Sequence, residues 1–152
     1  MQTSATGALQ RARKSRDGFT QNDRTVLSCL QTSQAPMKAY ELLEALRSKG
    51  INAPMTVYRA LSRLSAGGHV RKIESLNAYY AMPEGDRGSY GAFFLCDGCD
   101  AIAFKQLSAE ELNKLVPGVD VTDAAIELRT KCVAPLGPLL SGRCGCSSSD
   151  DL

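Results

Sequence analysis

Ala53-Pro54-Met55-Thr56-Val57-Tyr58-Arg59-Ala60-Leu61-Ser62-Arg63-Leu64 is the stretch whose reading decides the fold of this 152-residue chain. Taken at helical period, Val57, Ala60, Leu61 and Leu64 fall on one face, and Thr56, Arg59, Ser62 and Arg63 point the other way. Pro54 stands near the helix start, where its missing N–H costs least, and Gly67-Gly68 ends the helix. An apolar stripe opposite a row of Thr, Ser and Arg is how a helix made to lie on DNA looks.

Upstream, Val26, Leu27 and Leu30 predict a first helix from about Asn22 to Thr32, with Cys29 a small residue on or near its buried side. Ala35-Pro36 breaks it, and Ala39 to Lys49 predicts a second helix with Leu42, Leu43 and Leu46 inward and Gly50 at its end. Three helices in this order make a helix-turn-helix. Downstream, Val70 to Glu74 and Ala78 to Ala81 read as two strands around Ser75-Leu76-Asn77, and a hairpin in that place is a wing. His69, at the helix end, is a surface or capping residue.

Charge divides the chain. Residues 1–80 hold twelve Lys/Arg against five Asp/Glu, and residues 81–152 hold six against eleven. The basic front half is suited to a phosphate partner, with binding that weakens in salt, and the acidic back half is not. PEGDRG, Pro83 to Gly88, coincides with the change of sign and reads as a linker. The expected organisation is a flexible basic arm at 1–18 (Arg11, Arg13, Lys14, Arg16), a winged-helix domain at 19–82, a linker at 83–89, a second domain at 90–146 and a disordered tail at 147–152.

The second domain reads as α+β. Ala92 to Leu95 and Ala101 to Lys105 are short strands around a CxxC turn, and Ser108-x-x-Glu111 is a capping box opening a helix that Pro117-Gly118 stops. Ile126, Leu128, Thr130 and Cys132 alternate with Glu127, Arg129 and Lys131, the period of a half-buried strand. Cys96-Asp97-Gly98-Cys99 has the spacing at which two thiolates from one turn reach a tetrahedral zinc, and Cys132, Cys144 and Cys146 supply partners enough for a four-thiolate site. The expected ligands are Cys96, Cys99, Cys132 and Cys144, with Cys146 an alternative fourth, and one structural zinc per chain. Thiol redox chemistry is the competing use of the CxxC, although that motif normally opens a helix and here lies in a hairpin.

With 43% apolar residues the chain has material for a core. No apolar run approaches the roughly 20 residues of a membrane span, the first twenty residues carry no signal-peptide core, and a cytoplasmic location is expected. A single histidine, no Gly-rich phosphate loop and no nucleophile–base pair argue against an enzyme and against a small-molecule substrate.

Ala39-Tyr40-Glu41-Leu42-Leu43, Ala53 to Leu61, Ile73-Glu74-Ser75-Leu76-Asn77-Ala78-Tyr79 and Cys96-x-x-Cys99, in this order, resemble the ferric uptake regulator family, most closely its zinc uptake regulator branch, from about Thr20 to Cys132. The resemblance implies an N-terminal winged helix-turn-helix followed by a small α/β dimerisation domain with a zinc knuckle, in a repressor that binds palindromic double-stranded DNA as a homodimer. It implies that Tyr58 and Arg59 touch the major groove, Tyr58 at a thymine methyl and Arg59 at base edges or phosphate, chemistry to which an aromatic edge and a guanidinium are suited. Thr56, Arg63 and Arg24 are the expected backbone contacts. The chain also departs from the family. The His, Cys, His and Glu that hold the branch's regulatory metal correspond to Arg71, Met82, Ser89 and Phe104, and the fourth structural cysteine, expected three residues after Cys132, is Pro135. The reading that follows is a DNA-binding repressor with a structural zinc and a degenerate regulatory site. The alternative is a thiol-based redox regulator or redox protein.

Overall fold

The computed structural model describes residues 18–87, 90–98 and 101–131. Three helices come first: α1 (Gln21–Ser33), α2 (Ala39–Leu46) and α3 (Pro54–Ala66). The second is shorter than its sequence suggests, because Arg47–Lys49 tighten into a 3-10 turn that Gly50 closes at φ +83°, a left-handed conformation glycine adopts without strain. Thr20 caps α1 reciprocally with Asp23: the Thr20 N–H donates to the Asp23 carboxylate at 2.8 Å, and the Asp23 N–H donates to Thr20 Oγ1 at 3.3 Å. Pro54 occupies the start of α3 as expected.

The helices close on Val26, Leu30, Leu42, Leu46, Ile51, Val57, Ala60, Leu61 and Leu64, all buried, with Val70 of the wing completing the cluster. Leu27, Leu43 and Cys29 are half-buried at its margin. The wing is an antiparallel pair, β1 (Val70–Ile73) and β2 (Ala78–Ala81), in register from Val70 opposite Ala81 to Ile73 opposite Ala78. Its tip is a 3-10 turn, Glu74–Leu76, ended by Asn77 in the left-handed region at φ 48°. Met37 bonds Tyr79 in both directions, at 3.0 and 2.8 Å, tying the α1–α2 connection to the wing.

The second half is a three-stranded sheet in the order β4-β3-β5, from β3 (Gly91–Cys96), β4 (Ile102–Gln106) and β5 (Ala125–Thr130), with α4 (Ala109–Leu115) in the crossover. β3 runs antiparallel to β4 and parallel to β5. The capping box expected at Ser108 and Glu111 is present, with mutual bonds of 2.8 and 3.1 Å. Gly91 is required by packing, since a Cβ there would run into the Phe104 ring and lie 2.7 Å from the Lys105 carbonyl oxygen.

The two halves meet in a second core. Ile73 and Met82 from the wing side pack with Phe93 and Leu95 of β3, and Leu76, Tyr80, Ile102 and Phe104 surround them. Phe93 meets Tyr80 edge-to-face at 5.7 Å and 85°, and Phe104 at 5.1 Å and 55°. Polar contacts flank this seam. The Arg71 guanidinium donates to the Ala124 carbonyl at 3.0 Å and lies 3.7 Å from Asp123, and the Glu127 carboxylate of β5 accepts the Glu74 and Ser75 N–H groups at 2.6 and 3.1 Å. Glu127 thereby caps the wing-tip turn from the far half. Burial pushes its pKa up, but the bonds from Ser75 and Glu74 outweigh burial and hold it below the usual carboxylate value.

Candidate nucleic-acid interface and metal centre

α3 divides cleanly. Val57, Ala60, Leu61 and Leu64 are buried, and Met55, Tyr58, Arg59, Ser62 and Arg63 are exposed on the opposite side. The helix, PMTVYRALSRLSA, contains no acidic residue. Tyr58 is 51% exposed and Arg59 is exposed beside it, so both are displayed together. Thr56 is half-buried, and its N–H turns back to the Ala53 carbonyl at 3.0 Å.

The two remaining arginines are partly engaged within the fold. Arg63 reaches Asp23 of α1 through Nε at 3.1 and 3.0 Å and through Nη2 at 2.6 Å, while its side chain stays 45% exposed. Asp23 is wholly buried. Burial raises its pKa, but the bonds from Arg63 and Thr20 prevail and hold the carboxyl below its ordinary 3.8. Arg24 donates from Nη2 to the Phe19 carbonyl at 3.2 Å, bracing the chain just before α1. Tyr58, Arg59 and the outer edge of Arg63 therefore share one face, and Arg24 belongs to the neighbouring helix.

At the far end, Cys96 terminates β3, and the Gly98 N–H donates to its Sγ at 3.4 Å. The Cys96 N–H donates to the Ala101 carbonyl at 3.0 Å, closing the hairpin around the turn. Thr130 stands opposite Cys96 in the parallel pair, and its carbonyl accepts the Asp97 N–H at 2.9 Å, so β5 ends beside the cysteine turn, two residues before Cys132. Arg129 bonds Asp97 at 3.0 Å across the same junction. Cys99, Cys132, Cys144 and Cys146 lie outside the described residues. Among the described residues no three His, Cys, Asp or Glu side chains converge as a metal site.

Of the four positions that the family resemblance sets against regulatory ligands, three lie among the described residues, and each is engaged in other interactions. Met82 is 2% exposed within the apolar seam, Phe104 packs on Phe93, and Arg71 is engaged by Ala124 and Asp123. Ser89 lies outside the described residues.

Sequence reasoning missed the Asp23–Arg63 pair, the reach of Glu127 to the wing tip and the exposure of Met55. Thr20-x-x-Asp23 is a legible capping pattern that marks Asp23, but nothing local names a partner forty positions away. Met55 was detectable as an apolar residue lying off the apolar stripe of its helix.

A helix-turn-helix with a two-stranded wing, coupled to a small α/β unit bearing a cysteine turn, is a winged-helix architecture. No family model matches the chain. The zinc uptake regulation protein of Escherichia coli K12 is 39% identical over 93 residues, 60% of this chain and 53% of that protein, and the Shigella flexneri protein of the same name matches equally. The match thus spans about half the length of the curated relatives. Among solved structures, holo XcZur superposes with a TM-score of 0.65 at 31% identity, covering 78% of this chain and 86% of that one. A zinc uptake regulator complexed with zinc and DNA gives 0.63 at 31% identity, covering 78% and 83%. The chain belongs to the ferric uptake regulator family, in its zinc uptake regulator branch. The family is one of regulators and not of enzymes.

Proposed function

We propose that this protein is a DNA-binding transcriptional repressor that binds palindromic operators as a homodimer, carries one structural zinc per chain and lacks the regulatory metal site of its relatives. The observation that carries the DNA reading is the outward face of α3, free of acids, with Tyr58 and Arg59 displayed over a fully packed helix base. The relative solved with zinc and DNA supports it. In this reading residues 19–82 bind DNA, with Arg24, Thr56 and Arg63 at the phosphates and the basic arm at 1–18 beside them. Residues 83–89 link them to a dimerisation domain at 90–146, and 147–152 form a tail.

Two features support the dimer. β5 is an edge strand among the described residues, and Leu128 on it is 44% exposed, a surface that needs a cover. Leu115 and Val119, on and after α4, are exposed as well. Cys96 is fit for zinc by its Gly98 bond and its place beside the end of β5, and Cys99, Cys132 and Cys144 (or Cys146) would complete a four-thiolate set. Zinc bound there supplies a crosslink between the β3–β4 turn and the chain after β5. Among the described residues no helix is long and apolar enough to cross a membrane, and a cytoplasmic site of action accords with a DNA partner.

The absence of a metal switch is supported by the seam. Where the resemblance places ligands, this chain places Met82 and Phe104 in a packed apolar core and commits Arg71 to Asp123 and Ala124, just before β5. At these positions the two halves are held together by side-chain packing.

Arg59→Ala is expected to weaken operator binding by about 1–3 kcal/mol in fluorescence anisotropy, with unchanged thermal stability. Wild-type affinity after the substitution would remove α3 from the interface. Metal analysis of the purified protein is expected to return one zinc per chain, with operator affinity indifferent to added zinc. A second zinc per chain that tightens binding overturns the degenerate-site reading.

A further inference from the structure

Met55 is a large apolar side chain on the polar side of its helix. It is the second residue of α3 and is 58% exposed, although the apolar stripe of that helix runs through Val57, Ala60, Leu61 and Leu64. Residues three apart on a helix are neighbours, so Met55 adjoins Tyr58. Together they form an apolar strip at the N-terminal end of the outward face, which Arg59, Ser62 and Arg63 continue.

The strip and the arginines call for one occupant with two properties. The acid-free, arginine-bearing part of the face complements a polyanion, and the apolar end requires a small apolar group on that same polyanion. Duplex DNA offers both. The N-terminal residues of a helix laid in the major groove are the ones that meet base edges, and the apolar group displayed there is the C5-methyl of thymine. Methionine, flexible and polarisable, adapts to such a group without a preformed pocket.

We propose that Met55 is a specificity-determining residue that reads a thymine methyl in the major groove, one turn from Tyr58. The inference rests on the DNA-binding reading above and adds to it a named residue and a base preference.

The test uses the full zinc-loaded protein. A duplex is first selected from a random library by the wild type, and each thymidine in it is then replaced in turn by deoxyuridine, which removes only the methyl. Burying one methyl supports an affinity change of about fourfold. Met55→Ala is expected to bind the selected duplex about that much more weakly, and to lose the difference at one deoxyuridine position where the wild type itself is weakened. Because Met55 is exposed, the variant's melting curve should match the wild type. Equal loss on the thymidine and deoxyuridine duplexes, or no loss at all, overturns the Met55 inference and leaves DNA binding standing. Recovery of no duplex by the wild type overturns the DNA reading and this inference with it.

Discussion

Replacing Phe93 by Ala is expected to lower the unfolding free energy by about 3–5 kcal/mol, the cost of deleting a buried aromatic ring. Phe93 is buried at the centre of the seam, touches both Tyr80 and Phe104 with its ring, and packs among Ile73, Met82 and Leu95. Few neighbours can close the void, because Tyr80 and Ile73 belong to the paired strands of the wing and Leu95 to the central strand of the sheet. The loss should also be visible in cooperativity. With the shared core emptied, urea unfolding followed by circular dichroism should separate into two transitions where the wild type shows one. A loss under about 1 kcal/mol, with one transition retained, would mean that the halves are not joined by a packed core.

Arg63→Ala carries the second large effect, about 3 kcal/mol at neutral pH. The substitution strands the Asp23 carboxylate, which is wholly buried and keeps only its Thr20 bonds. The figure sits at the low end for a broken buried pair because Arg63 is itself half-exposed, so water can approach the vacated side. Arg63→Lys should lose less, since an ammonium restores charge but not the two-point fork of Nε and Nη2.

The pH dependence has a definite sign. In the wild type the Asp23 pKa is depressed below 3.8, so its contribution is complete above that value and is lost as pH falls through the folded pKa. Without the guanidinium, burial acts against fewer opposing bonds and the folded pKa rises. The variant's deficit should therefore be largest at neutral pH, where the stranded carboxylate is charged, and should narrow as pH falls and Asp23 takes up a proton. Denaturant melts from neutral to acid pH measure this, and a deficit that does not change with pH would remove Asp23–Arg63 as a stabilising charged pair.

How much of this was legible beforehand depended on the range of each interaction. The stripe Val57, Ala60, Leu61, Leu64 predicts which side of α3 is buried because helical period is local, and the Ser108–Glu111 box is a three-residue signal. The wing strands are marked by the turn around Asn77, and the cysteine hairpin by Cys96-x-x-Cys99. The candidate DNA face was legible for the same reason. The engagements of its arginines were not: Arg63 meets Asp23 at a separation of 40 residues, and Arg71 meets Ala124 at 53.

The sequence by itself determined the element order, the buried faces of the first three helices and the basic and acidic halves, and its resemblance to the family is what points to Arg71, Met82, Ser89 and Phe104 as the residues proposed to stand in place of regulatory ligands. Only the tertiary structure decided what those replacements do. Periodicity tells which way a side chain points along its own element, but not what stands opposite when elements far apart in the chain meet. That is why Met82 and Phe104 could be recognised as unable to bind zinc from their chemistry alone, whereas their role in a hydrophobic seam, flanked by Arg71 and by Glu127 at the wing tip, emerged only from the packing of the two halves.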